Sequence, residues 1–216
     1  MNVLVIGAAG LTGKRVVKHL ADSSQHLVRA MVRKAEQTDE METLGAKAIL
    51  ANLEQDFSFA MNDVNAVIFA AGSGSATGHD KTIAVDQEGA KKAADFAKKK
   101  GIERFIMLSS IGTENPAAGP AELRPYLEAK KAADLHLQNS GLNYTIVRPG
   151  TLTNEPGTGK IALSRHFTAL DSRTISRDDV ARVLVDSLLL KETEHQVFEI
   201  VSGDTPIEKA LKNVTR

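Results

Sequence analysis

Short unbroken apolar runs alternate along this chain with longer stretches in which apolar residues recur at helical spacing. Val3–Ile6, Leu27–Val32, Lys47–Leu50, Val64–Ala70, Arg104–Leu108 and Tyr144–Val147 read as strands. Between them, Leu11–Asp22, Glu36–Leu44, Ile83–Lys100 and Pro125–Asn139 read as helices, and Gly101 and Gly141 follow the last two as good helix-end residues. Strands that are apolar throughout belong to a parallel sheet covered on both faces. Strand–helix alternation at this spacing builds βαβ units, so the pattern predicts the α/β class and a doubly wound parallel sheet.

The rhythm changes after Gly150. Residues 151–175 are rich in Thr, Gly and Asn and show no clear period. Ser176 reads as an N-cap, with Asp178 and Asp179 in the first turn, where negative charge suits the helix dipole; the helix itself is read over Asp179–Leu190. Gln196–Val201 is a last strand, and Thr205 with Glu208 reads as a capping box for a final short helix. The 66 residues after Gly150 (216 − 150) are few for a second domain. The chain therefore reads as a single domain over 1–216, with 151–216 forming a small C-terminal cap on the substrate side.

Composition removes several function classes. Apolar residues make up 42% and charged residues 25%, the balance of an ordered globular chain. Lys plus Arg equals Asp plus Glu at 27 each, whereas a nucleic-acid binder ordinarily carries a basic excess. There is no Cys, which excludes disulfides, a Cys nucleophile and thiolate metal sites together. No apolar run approaches the roughly 18 residues of a membrane span. The opening Asn2–Ile6 leads straight to Gly7 without the form of a signal peptide. The expectation is a cytoplasmic protein, a monomer or homodimer, with a small-molecule substrate and no nucleic-acid or membrane partner. The six His residues, at 19, 26, 79, 136, 166 and 195, have no metal-ligand spacing, so they are expected at or near the surface with no metal bound.

Gly7-Ala8-Ala9-Gly10-Leu11-Thr12-Gly13 follows a strand and opens a helix. Gly7 allows a tight turn, Gly10 lets a pyrophosphate approach the backbone, and Gly13 lets the helix pack close to the sheet. Free N–H groups at the helix start then face the phosphates. The next strand ends at Val32-Arg33-Lys34, where an Asp or Glu would hold the ribose hydroxyls of NAD. Arg33 stands 20 residues after Gly13 and matches a 2′-phosphate instead, so NADP is expected rather than NAD. Glu36 is the one nearby carboxylate that argues for NAD.

With Ala70-Ala71-Gly72, Asp86, Leu108-Ser109-Ser110, Tyr126-x-x-x-Lys130 and Arg148-Pro149-Gly150 following in order, the chain resembles the short-chain dehydrogenase/reductase superfamily. The resemblance is to its short atypical NAD(P)-binding branch, related to nucleotide-sugar epimerases and dehydratases and to NmrA-like proteins. It implies a Rossmann-like fold. It implies that Gly7, Ala9, Gly10, Leu11, Thr12 and Gly13 cradle the pyrophosphate, that Arg33 meets the adenosine ribose, and that Asn52 and Leu53 border the adenine. Ala70, Ala71 and Gly72 would run along the ribose and phosphates, and Pro149 with Gly150 would contact the nicotinamide end. Ser110, rather than Ser109, would polarise the substrate oxygen. Tyr126 would be the acid/base and Lys130 its partner, with a further bond to the ribose. Two features depart from the superfamily: Asp86 stands where Asn is usual, and Ser110 and Tyr126 are 16 residues apart, a longer gap than usual.

The spacing agrees for the last pair. Tyr126 and Lys130 are four apart on one helix and share a face; a cation beside a phenol favours the phenolate and brings it closer to working pH. The reading is an NADP-dependent oxidoreductase, or an epimerase- or dehydratase-like enzyme, passing hydride between nicotinamide and a carbonyl, alcohol or sugar. Two alternatives stay open: a non-catalytic NADP-binding redox sensor, and a flavin or tetrapyrrole reductase that needs no tyrosine.

Overall fold

A computed structural model describes residues 1–74, 78–168 and 173–214. The first half is a run of βα units: β1 (Asn2–Ile6), α1 (Leu11–Asp22), β2 (Leu27–Val32), α2 (Thr38–Thr43), β3 (Lys47–Leu50) and β4 (Ala66–Phe69). A long helical rod follows, made of α3 (His79–Lys81), a π-helical stretch over Thr82–Gly89, and α4 (Ala90–Lys99). Next come β5 (Arg104–Leu108), α5 (Arg124–Gln138) and β6 (Tyr144–Pro149). The remainder contains β7 (Thr151–Thr153), β8 (Lys160–Ser164), β9 (Thr174–Ser176), α6 (Arg177–Asp186), β10 (Gln196–Ser202), β11 (Thr205–Pro206) and α7 (Ile207–Lys212).

The main sheet runs β11-β8-β10-β6-β5-β4-β1-β2-β3. All neighbours from β3 to β10 are parallel, and β8 and β11 close one edge antiparallel. This is the Rossmann-like doubly wound order, reversing direction between β1 and β4. The apolar runs are continuous because successive side chains leave on opposite faces and both faces are covered. Val3 and Val5 join Val16, Val17 and Leu20 of α1 and Val180, Val183 and Leu184 of α6. Leu4 and Ile6 point the other way, against the alanines of α4 and Ala133 and Leu137 of α5. Each large side chain buried in this way contributes about 1.5–3 kcal/mol.

The segment after Gly150 differs most from the pattern-based expectation. Residues 151–175, which show no period, hold three strands: β8 joins the main sheet, and β7 pairs with β9 in parallel beside it. These strands are three to five residues long and only half covered, so they carry no apolar run to read. Ser176 does cap α6, its Oγ accepting from the Asp178 N–H at 3.1 Å, but the helix ends at Asp186 rather than Leu190. The Thr205–Glu208 capping box does not form: Thr205 lies in β11, Pro206 precedes α7, and Glu208 pairs with Lys212 instead. The helix read over Glu36–Leu44 begins as a 3-10 turn, Ala35–Gln37. The one read over Ile83–Lys100 starts earlier and winds as a π-helix in its middle. Tyr144, which opens a run read as a covered strand, is only half-buried and packs edge-on against His195, ring centres 5.4 Å apart.

Candidate functional site

The turn between β1 and α1 is built from close backbone approach. Gly7 has φ +85°, and a Cβ there would fall 2.5 Å from the Ala71 backbone. A Cβ on Gly13 would sit 2.1 Å from the Gly7 carbonyl oxygen, so Gly13 packs against the turn itself. At Gly10 a Cβ would meet only the Gly7 oxygen, at 3.2 Å, and otherwise open space. α1 begins with no side-chain cap and no acidic residue in its first turn. Its N–H groups therefore offer partial positive charge to an anion. Ala9 is half-buried, Leu11 exposed and Thr12 buried at this edge.

Three further segments end beside the turn. Arg33 stands exposed just past β2, with the N–H groups of Arg33 and Lys34 both held by Gln37 Oε1. Glu36, the carboxylate that argued for NAD, lies 3.6 Å from the Lys34 ammonium. Asn52 is half-buried, its Oδ1 accepting from the Glu54 N–H at 3.0 Å, while Leu53 is buried and its carbonyl accepts from Lys92. Ala70, Ala71 and Gly72 leave β4, the Ala70 N–H bonding to Ile6 O at 2.9 Å. All lie outside the carboxyl ends of the strands around the switch point of the sheet, the crevice where open α/β sheets bind ligands. An uncapped helix start, an open face at Gly10 and an exposed guanidinium at the β2 end fit a dinucleotide phosphate chain.

Across the crevice, α5 brings Tyr126 and Lys130 together, the ammonium 5.8 Å from the phenol ring centre. Tyr126 is half-buried and Lys130 almost wholly buried. The Lys130 head is held from below: Nζ donates to Leu108 O at 3.2 Å and to Ala71 O at 3.4 Å, and lies 3.2 Å from Asp86 Oδ1. Asp86, fully buried on the π-helical stretch, also accepts the Ser73 N–H through Oδ2 at 2.9 Å. Burial alone would lower the Lys130 ammonium, but Tyr126, Asp86 and Asp134 outweigh it and hold the group above its ordinary value. Ser110 is half-buried at the β5 end and donates to Ile111 O at 3.1 Å. Ser109 points inward instead and donates to Asp134 Oδ2 at 2.9 Å. Pro149 is buried at the end of β6, its carbonyl accepting the Ile111 N–H at 3.0 Å.

Two polar groupings carry little sequence signal. Asp134, on α5 one turn past Lys130, is buried and also receives Arg148 Nε at 3.1 Å and Nη2 at 3.0 Å. Burial pushes its carboxyl up, against the pull of Arg148 and Ser109. The i+4 spacing from Lys130 was the available clue. The second grouping involves a histidine that is exposed, as expected: the fold gathers His166 with Glu114 and Glu199, whose ligating atoms lie within 4.8 Å of one another. A carboxylate inside the apolar run Gln196–Val201 was its only mark in the sequence. A cavity of about 370 Å³ adjoins it, lined by Thr113, Glu114, Lys131, Arg148 and Arg165 and by no residue of the glycine turn. Among the described residues, no helix is long and apolar enough to cross a membrane.

Known proteins give the same frame. A family model for NAD(P)H-binding proteins matches residues 7–191. A protein of Bacillus subtilis (strain 168), named an uncharacterised sugar epimerase, is 47% identical over 99% of this chain and 100% of its own length. A solved structure from Bacillus halodurans, described as a putative NAD-dependent epimerase/dehydratase, is 47% identical with a TM-score of 0.96, covering 99% of this chain and all of the other. An oxidoreductase from Lactococcus lactis superposes with a TM-score of 0.87 at 29% identity, covering all of this chain and 97% of the other. The chain belongs to the NAD(P)H-binding family, whose model covers most of its length, and is similar to proteins named as epimerases and as an oxidoreductase.

Proposed function

We propose that this chain is an NADP-dependent oxidoreductase, or an enzyme of the epimerase/dehydratase type, that acts on a carbonyl, alcohol or sugar through Tyr126. The observation that carries the reading is the packing of Tyr126 beside Lys130 on α5, with the Lys130 head bonded to Leu108 O at the β5 end and to Ala71 O after β4. A bound nicotinamide would supply or accept hydride at the substrate carbon. The protein supplies the rest. The phenol of Tyr126 exchanges a proton with the substrate oxygen, and Ser110 turns its hydroxyl from Ile111 O to hold that oxygen. Lys130 is anchored by two carbonyls and Asp86, so its charge stays at a fixed place under the phenol. The first turn of α1, with Gly7, Ala9, Gly10 and Gly13, receives the pyrophosphate, and Arg33 the 2′-phosphate. Asn52 and Leu53 border the adenine, Ala70 to Gly72 the ribose and phosphates, and Pro149 the nicotinamide.

Replacing Tyr126 by Phe keeps the ring packing and removes the proton. Turnover with the best of a panel of sugars, aldehydes, ketones and quinones should fall by about 10²–10⁴, the usual worth of a positioned acid/base, with cofactor affinity retained. A second reading rests on the inward-turned head of Lys130. Bound to Asp86 and two carbonyls, it also serves as a clamp on the β4 end, which a flavin or tetrapyrrole reductase, or a non-catalytic redox sensor, would need as much. Full turnover by Tyr126→Phe on a flavin or tetrapyrrole favours the reductase. Tight NADPH binding with no turnover of any substrate favours the sensor.

A further inference from the structure

Glu199 lies on β10 with a side chain only 1% exposed. A buried carboxylate is costly unless a cation or several donors compensate it. The fixed cation directly across the sheet, Arg148 on β6, is turned away to Asp134. Among the described residues, what faces Glu199 is one backbone N–H, from Phe167 at 2.8 Å to Oε2, and the imidazole of His166, whose Nδ1 is 3.3 Å from Oε1. The same Nδ1 is 3.6 Å from Glu114 Oε2. One ring nitrogen thus faces two carboxylate oxygens, both farther off than the roughly 2.7–2.9 Å of a charge-assisted hydrogen bond. A single proton on Nδ1 satisfies one of them. A metal ion satisfies both: at bond lengths of about 2.0–2.2 Å, donors of one tetrahedral shell stand roughly 3.4 Å apart, close to the 3.3 and 3.6 Å from Nδ1 to the two carboxylates, and all three donors lie within 4.8 Å of one another.

We propose that Glu114, His166 and Glu199 form a divalent-cation site, with zinc the best match for one imidazole and two carboxylates. Its three donors come from the loop after β5, the segment after β8, and β10. The ion would tie the loop that follows Ser110 to the C-terminal segment. Three protein donors leave a position open for water or for an anionic group in the adjoining cavity, where Arg148 and Arg165 stand. This is separate from the dinucleotide crevice and needs no turnover to be tested.

Isothermal titration of the tag-free chain with zinc chloride, with manganese chloride as comparator, reads the site directly. One zinc per chain is expected, binding more tightly than manganese. Affinity should fall at least tenfold in His166→Ala and in Glu114→Gln, both exposed positions where the fold is retained, and in Glu199→Gln where circular dichroism shows a folded chain. Zinc should also slow hydrogen exchange in residues 111–116 and 164–168 of the wild type and not of His166→Ala. No zinc binding by the wild type overturns the proposal. So does binding of equal strength in His166→Ala and Glu114→Gln, which would mark adventitious surface binding.

Discussion

Arg104 and Lys130 are both buried cations, and the protein handles them in opposite ways. Arg104 sits at the amino end of β5, far from the glycine turn along the strand. Its guanidinium donates to Asn143 O at 3.1 Å, Ser187 O at 3.0 Å, Thr193 Oγ1 at 2.9 Å and Thr145 Oγ1, all neutral acceptors. No carboxylate lies within ion-pair distance of it among the described residues. Burial pushes it down to about 10, only slightly opposed by Glu194, and it stays charged at neutral pH. Lys130 sits at the carboxyl end of the sheet among Asp86, Asp134 and a phenol, which together hold its ammonium above the ordinary value despite greater burial. Neutral acceptors are enough where the cation only ties chain segments together. Titratable neighbours surround the cation that the proposed chemistry uses.

The largest effect expected from breaking this contrast is at Lys130. Lys130→Met strands the Asp86 carboxylate in the interior, an error of about 3–5 kcal/mol, and turnover falls with it. Adding Asp86→Asn should restore most of the stability and none of the turnover, as read by chemical denaturation and steady-state assay. Recovery of both would make Lys130 a clamp and nothing more.

Arg104→Met comes next. It removes several bonds to a charged donor and leaves buried acceptors without partners, a loss of about 3 kcal/mol. Turnover per folded molecule should not change. A kinetic defect at permissive temperature would link the two ends of the sheet and make Arg104 more than a structural tie.

Arg33, exposed and proposed to meet the 2′-phosphate, is the third kind of cation. One charge-assisted contact is worth about 1.5–3 kcal/mol, so NADPH should bind roughly ten- to 150-fold more tightly than NADH. Arg33→Ala should erase that preference. Equal binding by the wild type would remove Arg33 from the cofactor site.

The smallest effect concerns a cation the fold avoids. Burial, helped by the N-terminal ammonium, lowers His26 below its ordinary 6.5. The unfolded chain then takes up the proton more readily, so stability should decline as pH falls below about 6.5. His26→Gln should flatten that decline in thermal scans between pH 7 and 5.

Much of this was legible before any fold was drawn, and the reason is burial. β2 and β5 fall where the apolar runs put them, and α1 begins and ends as its spacing says, because both faces of the sheet are covered there, while β3, an edge strand with no buried residue, shows only as the short run Lys47–Leu50. The glycine turn was legible because its spacing reports backbone contacts such as Gly13 against Gly7. β7, β8 and β9 were not, since strands this short and incompletely covered need no apolar run. Nor were the partners of Arg104 and Glu199, which depend on residues distant in the chain. Glu114, His166 and Glu199 are separated by 52 and 33 positions, and only the docking of β8 and β10 beside β6 makes them neighbours.

The π-helical stretch Thr82–Gly89 makes the address of Asp86 a matter of phase rather than of identity. A helix advances about 100° per residue, and a π-turn accommodates residues that a regular α-helix of the same length would not. Deleting one residue from this stretch while keeping Asp86 would let the rod rewind as an α-helix and swing the carboxylate about a quarter-turn away from Lys130 and Ser73. In this protein a change in the length of this stretch would therefore act on Lys130 and Ser73 as a substitution of Asp86 would, with every side chain left in place.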